Sequence, residues 1–426
     1  MNQVLPKKSN VALLIVVASL GYFVDIYDLI LYNVIKAESL LSLGIAQENE
    51  NILFRWQMTG MLIGGLLWGI YGDKKGRVSV LFGSILLYSI ANIANAFATD
   101  LTSYSMWRFL AGLGLAGELG AAITLVSETM PQKNRGIGTM IIVTFGALGG
   151  VFAYLVSKKG HFIAPILESV FRTKLENWQT SFILGGVLGL ILLILRAGTF
   201  ESSMFRNLKT ENVKKGDLGI LFRKWPIFKK YLACILIGLP VWYVVAILSS
   251  LAHRFLPEIG VLENQKVETG ELVMFTYIGL SAGDLFSGLL SQFLKSRKKV
   301  ILIYLIAIAI FTCIYLFNRN VTPNMLRITA VMLGAATGYW ALFVTNASEQ
   351  FGTNIRSTVT ATVPNFVRGA VVPITLGFEE LYKLKLGNHP YTTAAVITGV
   401  VCIGLALWGT LTIKDGFSKN LDYYES

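Results

Sequence analysis

The chain has 426 residues, of which 54% are hydrophobic and 15% are charged, and its mean hydropathy is +0.60. Soluble domains carry about 25% charged residues, so this composition excludes a soluble protein and predicts a polytopic membrane protein. The net charge of +12 does not indicate a nucleic-acid partner, because Lys and Arg accumulate in the cytoplasmic loops of membrane proteins.

Twelve apolar segments follow one another, each close to the roughly 20 residues that a helix needs to cross a bilayer. They cover residues 11–35, 54–72, 79–98, 104–127, 137–157, 179–198, 230–251, 269–292, 299–317, 325–346, 357–380 and 391–413. The longest polar interruption, 199–229, leaves six segments on each side. We therefore predict an all-α fold of two six-helix bundles, 1–198 and 230–426, joined by that cytoplasmic linker.

The basic residues predict the orientation of the chain in the membrane. Nine Lys and Arg lie between positions 196 and 230. Because cytoplasmic loops carry the excess of these residues, we place the linker and both termini in the cytoplasm, with the protein in the inner membrane. The three Cys and three His are scattered, so the sequence predicts neither a metal site nor a disulfide.

The first predicted span contains two carboxylates, Asp25 and Asp28. A charge at the centre of a membrane helix costs about 2.5–3.5 kcal/mol or more. The two acids are three residues apart and therefore project from the same helical face. We expect that face to border a polar cavity or a partner side chain.

The two halves of the sequence repeat each other. An acid and an arginine follow the fourth span as Glu128 and Arg135, and they recur after the tenth span as Glu349 and Arg356, at an offset of 221. The segment that begins at Gly69 recurs in weaker form from Gly288, at an offset of 219. Duplicated halves with a site between them near the midplane are typical of secondary transporters.

Three motifs resemble the major facilitator superfamily. The segment after the second span has Gly69, Gly72, Asp73, Gly76 and Arg77 and resembles the family's Gly-x-x-x-Asp-x-x-Gly-Arg signature. Asp25-Ile-Tyr-Asp28 resembles the first-span motif of its proton-coupled metabolite and sugar symporters, and the segment from Arg108 to Glu118 resembles their fourth-span motif. The resemblance implies a monomeric transporter in the lipid bilayer that works by alternating access and needs no cofactor besides a coupling proton.

The resemblance also implies roles for the buried charges of the first half. Asp28 would accept the proton and Arg108 would modulate it, since a nearby arginine favours the charged carboxylate and burial disfavours it. The alternative is an ion pair that only fixes helix packing. Asp25 would be a second proton site or a substrate contact. Glu118 lies near mid-depth as a candidate substrate ligand, and a structural acid is the alternative for both.

The second half offers further candidates for the substrate site. Arg368 lies near mid-depth with Asn365 one turn away, and a buried arginine is suited to clamp a carboxylate or phosphate. Asp284, at comparable depth, could instead neutralise it. Aromatic residues could line the cavity or simply pack between helices: Trp242, Tyr243, Tyr339 and Trp340. Pro240 is expected to break the seventh span.

Charged residues at the cytoplasmic ends predict an inner gate. We expect Asp73 to cap the eleventh span near Ser357, where the helix dipole favours an anion. Arg77 and Arg135 would pair with Glu128 or Glu201, and such contacts must break when the inner side opens. Anchoring of the loops to lipid headgroups is the alternative.

These observations favour proton-coupled symport of a small polar metabolite. An exporter or antiporter of the same fold is the first alternative, although the span-five segment from Gly146 to Gly150 lacks the proline that such antiporters usually carry. A transporter-like sensor is the second alternative, and the short central loop argues against it. No nucleophile–base pair indicates an enzyme. The substrate itself stays open.

Overall fold

A computed structural model describes residues 8–130, 135–196, 219–261, 267–318, 321–352 and 354–417 of the chain. For residues 8–10, 127, 128, 135, 161 and 357 it describes the backbone alone. Regular secondary structure in the described ranges is helical throughout, with no strand.

Twelve long helical segments cross the fold, here numbered spans 1 to 12. They are Val11–Ser42, Glu50–Lys75, Arg77–Asn95, Leu101–Val126, Gly136–Lys159, Asn177–Leu195, Trp225–Ser249, Thr269–Leu294, Arg297–Phe317, Pro323–Glu349, Thr358–Lys383 and Pro390–Thr412. Eleven are long and apolar enough to span a membrane, and span 2 has the length but is interrupted by Arg55 and Gln57. The predicted all-α fold is confirmed, and span 1 continues past its predicted end at 35.

The helix packing repeats between the two halves of the chain. Span 2 packs along span 4, and span 8 packs along span 10. A Cβ on Gly112 of span 4 would collide with the Gln57 carbonyl, and a Cβ on Gly334 of span 10 would collide with the Thr276 carbonyl. These glycines therefore allow equivalent close approaches in the two halves. Spans 2 and 5 then contact spans 11 and 8 across the middle of the fold.

Several spans are broken near the centre. In spans 4 and 10 the second helical pieces begin at Glu118 and Trp340, 222 residues apart, so the break itself is repeated. Span 7 breaks at Gly238, before Pro240, and ends in the π-helix Val244–Ser249. Irregular backbone at membrane depth is tolerated where protein buries it or where it lines a cavity. The breaks therefore mark the region around which the candidate site is built.

Candidate functional site

A small cavity lies between the two halves, with a volume of about 20 Å³. Its polar and aromatic walls come from five spans: Tyr22, Trp242, Tyr277, Trp340 and Arg368. A volume of this size holds about one water molecule. The cavity is therefore too small in this conformation for an organic substrate, and the halves must move to admit one.

Arg368 is the cation of this cavity. Its Nη2 lies 3.6 Å from Oδ2 of Asp25, and the two side chains are 1% and 0% exposed. Nη2 also donates to the Tyr22 hydroxyl at 3.5 Å, and Nη1 donates to Oδ1 of Asn365 at 3.3 Å. The guanidinium carbon lies 5.8 Å from the centre of the Trp340 ring. The Asp25–Arg368 pair thus joins span 1 to span 11 at the centre of the fold.

This pairing corrects the suggestion that Asp284 neutralises Arg368. Oδ1 of Asp284 accepts a hydrogen bond from the backbone N–H of Ala341 at 3.0 Å. Asp284 therefore caps the helical piece Trp340–Glu349 in the second half of span 10. The carboxylate that faces Arg368 comes from the first half of the chain instead.

Arg108 contacts the backbone of Asp28 and not its carboxylate. Nη2 of Arg108 donates to the backbone carbonyl of Asp28 at 3.4 Å, and both side chains are fully buried. The guanidinium also lies over the rings of Tyr32 and Phe182, at 5.8 and 5.2 Å from their centres. A Cβ on Gly185 of span 6 would collide with the Asp28 carboxylate, so this glycine makes the space for the acid. The Asp28 carboxylate lies among spans 1, 4 and 6, away from the central cavity.

Glu118 pairs with an arginine that does not line the cavity. Its carboxylate forms a buried ion pair with Arg196, at the end of span 6. Nδ2 of Asn365 donates at 2.8 Å to the carbonyl of Ala116, in the break of span 4 that precedes Glu118. The substrate role suggested for Glu118 stays a prediction, and in this conformation the residue does not line the cavity.

The four aromatic candidates divide into two pairs. Trp242 and Trp340 line the cavity, with ring centres 6.4 Å apart. The hydroxyls of Tyr243 and Tyr339 instead donate to backbone carbonyls of Ala395 and Ile237, at 2.9 and 2.7 Å. The two tyrosines therefore hold neighbouring helices together in this conformation.

Of the five polar and aromatic residues that line the cavity, two were not predicted from the sequence. Tyr22 lies three residues before Asp25, and Tyr277 lies seven residues before Asp284. These spacings place each tyrosine on the same helical face as a buried acid. A search of those faces would have found both residues.

The contact predicted between Asp73 and the start of span 11 is present. Oδ2 of Asp73 accepts the backbone N–H of Thr358 at 2.9 Å and also the Thr358 hydroxyl, which links span 2 to span 11. Arg77 lies 3.6 Å from Asp73 and donates to the Gly72 carbonyl at 3.3 Å. Gly76 has φ = 105°, a conformation that favours glycine. The signature residues therefore build one contact between the halves.

The remaining gate residues are described in part. Glu349 pairs with Arg297 at 3.2 Å, and Arg356 donates to the Phe351 carbonyl at 3.4 Å. Gly69 packs against the backbone of Thr358. The side chains of Glu128, Arg135 and Glu201 lie outside the described part of the chain, so their predicted pairings stay predictions.

Ion pairs also join the two halves at the end of the fold opposite Asp73. Arg55 lies 2.6 Å from Glu379, which joins span 2 to span 11. Glu50 lies 2.6 Å from Lys36 and 2.8 Å from Arg254, which joins spans 1 and 2 to the short helix Ala252–Phe255 that follows span 7. With the Asp73 contact on the other side, contacts join the two halves at both ends of the fold.

The comparisons with known proteins agree with this architecture. The Major Facilitator Superfamily model matches residues 18–374. The protein NiaP of Bacillus subtilis (strain 168), named for niacin/nicotinamide transport, is 26% identical over 92% of each chain. The cis,cis-muconate transport protein of Acinetobacter baylyi is 25% identical over 90% of this chain and 91% of that protein. The solved proton:xylose symporter XylE shares the fold, with a TM-score of 0.71 and 17% identity over 98% of both chains. The chain therefore belongs to the Major Facilitator Superfamily, whose members are multi-pass membrane transporters of small molecules and not enzymes.

Proposed function

We propose that this transporter is a proton-coupled symporter that takes up a small organic anion across the cytoplasmic membrane. The observation that carries the proposal is the buried guanidinium of Arg368 in an aromatic cavity, 3.6 Å from the carboxylate of Asp25. The substrate carboxylate binds Arg368 in place of Asp25. The protein acts as a monomer with both termini in the cytoplasm.

The chemistry of the cavity favours an organic anion. A guanidinium presents parallel N–H donors that match the two oxygens of a carboxylate. Trp242 and Trp340 add flat apolar faces against which a ring or a conjugated chain can pack. The relative named for cis,cis-muconate transport, an organic anion, is consistent with this substrate class.

Replacement of Asp25 by the substrate carboxylate at Arg368 couples substrate binding to proton binding. Once a substrate carboxylate holds Arg368, the buried Asp25 has lost its counter-ion. An isolated charge in an apolar interior is far less stable than its neutral form, so Asp25 binds a proton. The anion and the proton therefore move inward together, and the Asp25–Arg368 pair re-forms after both have left.

Asp28 and Arg108 connect Asp25 to the outer side. Asp28 is one turn further along span 1, beside the cation of Arg108. We assign Asp28 as the group that receives the proton first and passes it to Asp25. Arg108 favours its return to the charged form after transfer.

Alternating access follows from the contacts at the two ends. The bundles 1–198 and 230–426 rock about the cavity. The Arg55–Glu379 and Glu50–Arg254 pairs break when the outer side opens. The Asp73–Thr358 contact breaks when the inner side opens. Each set of contacts keeps one side of the transporter closed.

A ligand panel tests the substrate class. Purified protein is heated with aromatic and conjugated monocarboxylates and, in parallel, with the matching neutral amides. A ligand present at 100 times its Kd stabilises the folded state by about 2.7 kcal/mol. We expect acids to raise the Tm and the amides of the same shape to leave it unchanged. Equal stabilisation by an acid and its amide would contradict an anion clamp at Arg368.

A further inference from the structure

The charges buried in the membrane interior do not balance. Apart from Arg77 and Arg356, which belong to the contacts at the Asp73 end, seven charged side chains of the described residues are at most 1% exposed. Four are carboxylates and three are guanidiniums: Asp25, Asp28, Glu118 and Asp284 against Arg108, Arg196 and Arg368. One acid is therefore left over if all seven are ionised.

The geometry identifies the unmatched acid. Arg368 faces the carboxylate of Asp25, Arg196 faces that of Glu118, and the Arg108 cation lies beside Asp28, where it donates to the backbone carbonyl. These contacts assign each guanidinium to an acid other than Asp284. The structure thus leaves Asp284 as the carboxyl group for which the described interior supplies no cation.

The surroundings of Asp284 supply partial compensation. Its Oδ1 accepts the N–H of Ala341, and the dipole of that helical piece offers roughly half an elementary charge. Its Oδ2 is buried and, in the described part of the chain, has no hydrogen-bond partner. The titratable groups that face it are the hydroxyls of Tyr304 from span 9 and Tyr22 from span 1, which carry no positive charge. The backbone N–H of Trp340 also interacts with this carboxylate. Half a charge and two backbone hydrogen bonds on one side of the carboxylate do not replace its lost hydration.

We propose that Asp284 is a proton-binding site separate from Asp25 and Asp28, and that it holds a proton whenever the cavity is closed on both sides. The proton sits on Oδ2, and Oδ1 keeps its hydrogen bond from Ala341. The interior then has three guanidiniums and three ionised carboxylates. The described residues contain no group of three or more His, Cys, Asp or Glu around Asp284 that could hold a transition-metal ion.

Infrared spectroscopy of the purified, substrate-free protein tests this assignment. A protonated carboxyl group has a C=O stretching band that an ionised carboxylate lacks. We expect Asp284→Asn to lose one carboxyl's share of that band and Asp25→Asn to leave it unchanged. Equal bands in the wild type and in Asp284→Asn would overturn the proposal. Since no substrate is present, the result is independent of the transport function proposed above.

Thermal stability provides a second readout. A group that is protonated when folded and ionised when unfolded makes the folded state bind more protons, so stability falls as pH rises. Between about pH 5 and about pH 8 the Tm of the wild type should fall more than that of Asp284→Asn. Asn has the shape and charge of protonated Asp, so failure of this variant to fold would count against the proposal. Stabilisation of the wild type by Na⁺, absent in the variant, would replace the proton with a metal ion.

Discussion

Replacing Arg368 by Gln is expected to lower the affinity for the transported anion by about 30-fold or more. Truncating one partner of a buried, hydrogen-bonded charge pair costs roughly 2–5 kcal/mol, and every 1.4 kcal/mol is tenfold in affinity. Arg368→Lys should recover only part of the loss, because an ammonium keeps the charge and lacks the planar fork. Isothermal titration calorimetry with the anion selected by the ligand panel measures both variants.

The loss must be separated from misfolding, because Arg368→Gln also leaves Asp25 without its partner. The double variant Asp25→Asn/Arg368→Gln removes both charges together. Replacing a whole buried pair is far less destabilising than breaking it, so the double variant should unfold at a higher temperature than Arg368→Gln. It should nevertheless bind the anion as weakly as Arg368→Gln does. Wild-type affinity in either variant would show that Arg368 is not the clamp.

Replacing Asp28 by Asn is expected to abolish accumulation of the anion driven by a pH gradient. The amide has the size of the protonated acid and cannot release a proton, so the relay to Asp25 is blocked. Exchange of labelled for unlabelled anion does not require net proton movement and should continue. Proteoliposomes that contain the variant allow both rates to be measured on the same preparation.

Asp100→Asn is a matched control for this experiment. Asp100 is an exposed acid that caps the start of span 4 by accepting the N–H groups of Thr102 and Ser103. Asn is an equally good N-cap, so the substitution should change neither folding nor uptake. If Asp28→Asn accumulated the anion as well as Asp100→Asn does, Asp28 would have no part in coupling.

Much of the fold could be predicted from the sequence because its determinants are local. Apolar runs of about 20 residues specify membrane helices without reference to tertiary contacts. The duplicated Glu128 and Glu349 segments predicted two similar halves, and the structure repeats the break of span 4 in span 10. The contact of Asp73 with span 11 was also predictable, since a carboxylate at a helix N-terminus has a physical reason to be there.

The central pair could not be predicted in the same way. Asp25 and Arg368 lie 343 positions apart, and sequence spacing does not determine which faces of two distant helices meet. Depth alone suggested Asp284 as the partner of Arg368. The break in span 10 instead places the amide of Ala341 against Asp284. The same break turns the Tyr339 hydroxyl toward the carbonyl of Ile237, whereas Trp340 lines the cavity.

The ion pairs at the end of the fold opposite Asp73 could not be predicted from the sequence for a different reason. Glu50 lies outside the predicted apolar segments, so the hydropathy pattern does not indicate that it is buried and paired with Lys36 and Arg254. Arg55 and Glu379 lie close to the predicted ends of their spans, where charged residues are ordinary. Their pairing across the halves required the three-dimensional arrangement of spans 2 and 11.

Uptake by the wild type under an imposed pH gradient tests proton-coupled uptake of an organic anion most directly. Proteoliposomes made alkaline inside, with the membrane potential clamped to zero, are given the labelled anion selected by the panel. Entry of one proton with each singly charged anion predicts accumulation of up to about tenfold for each unit of pH difference. The anion should equilibrate without accumulation when the gradient is absent. Accumulation that is the same with and without the gradient, or net expulsion of the anion, would contradict symport.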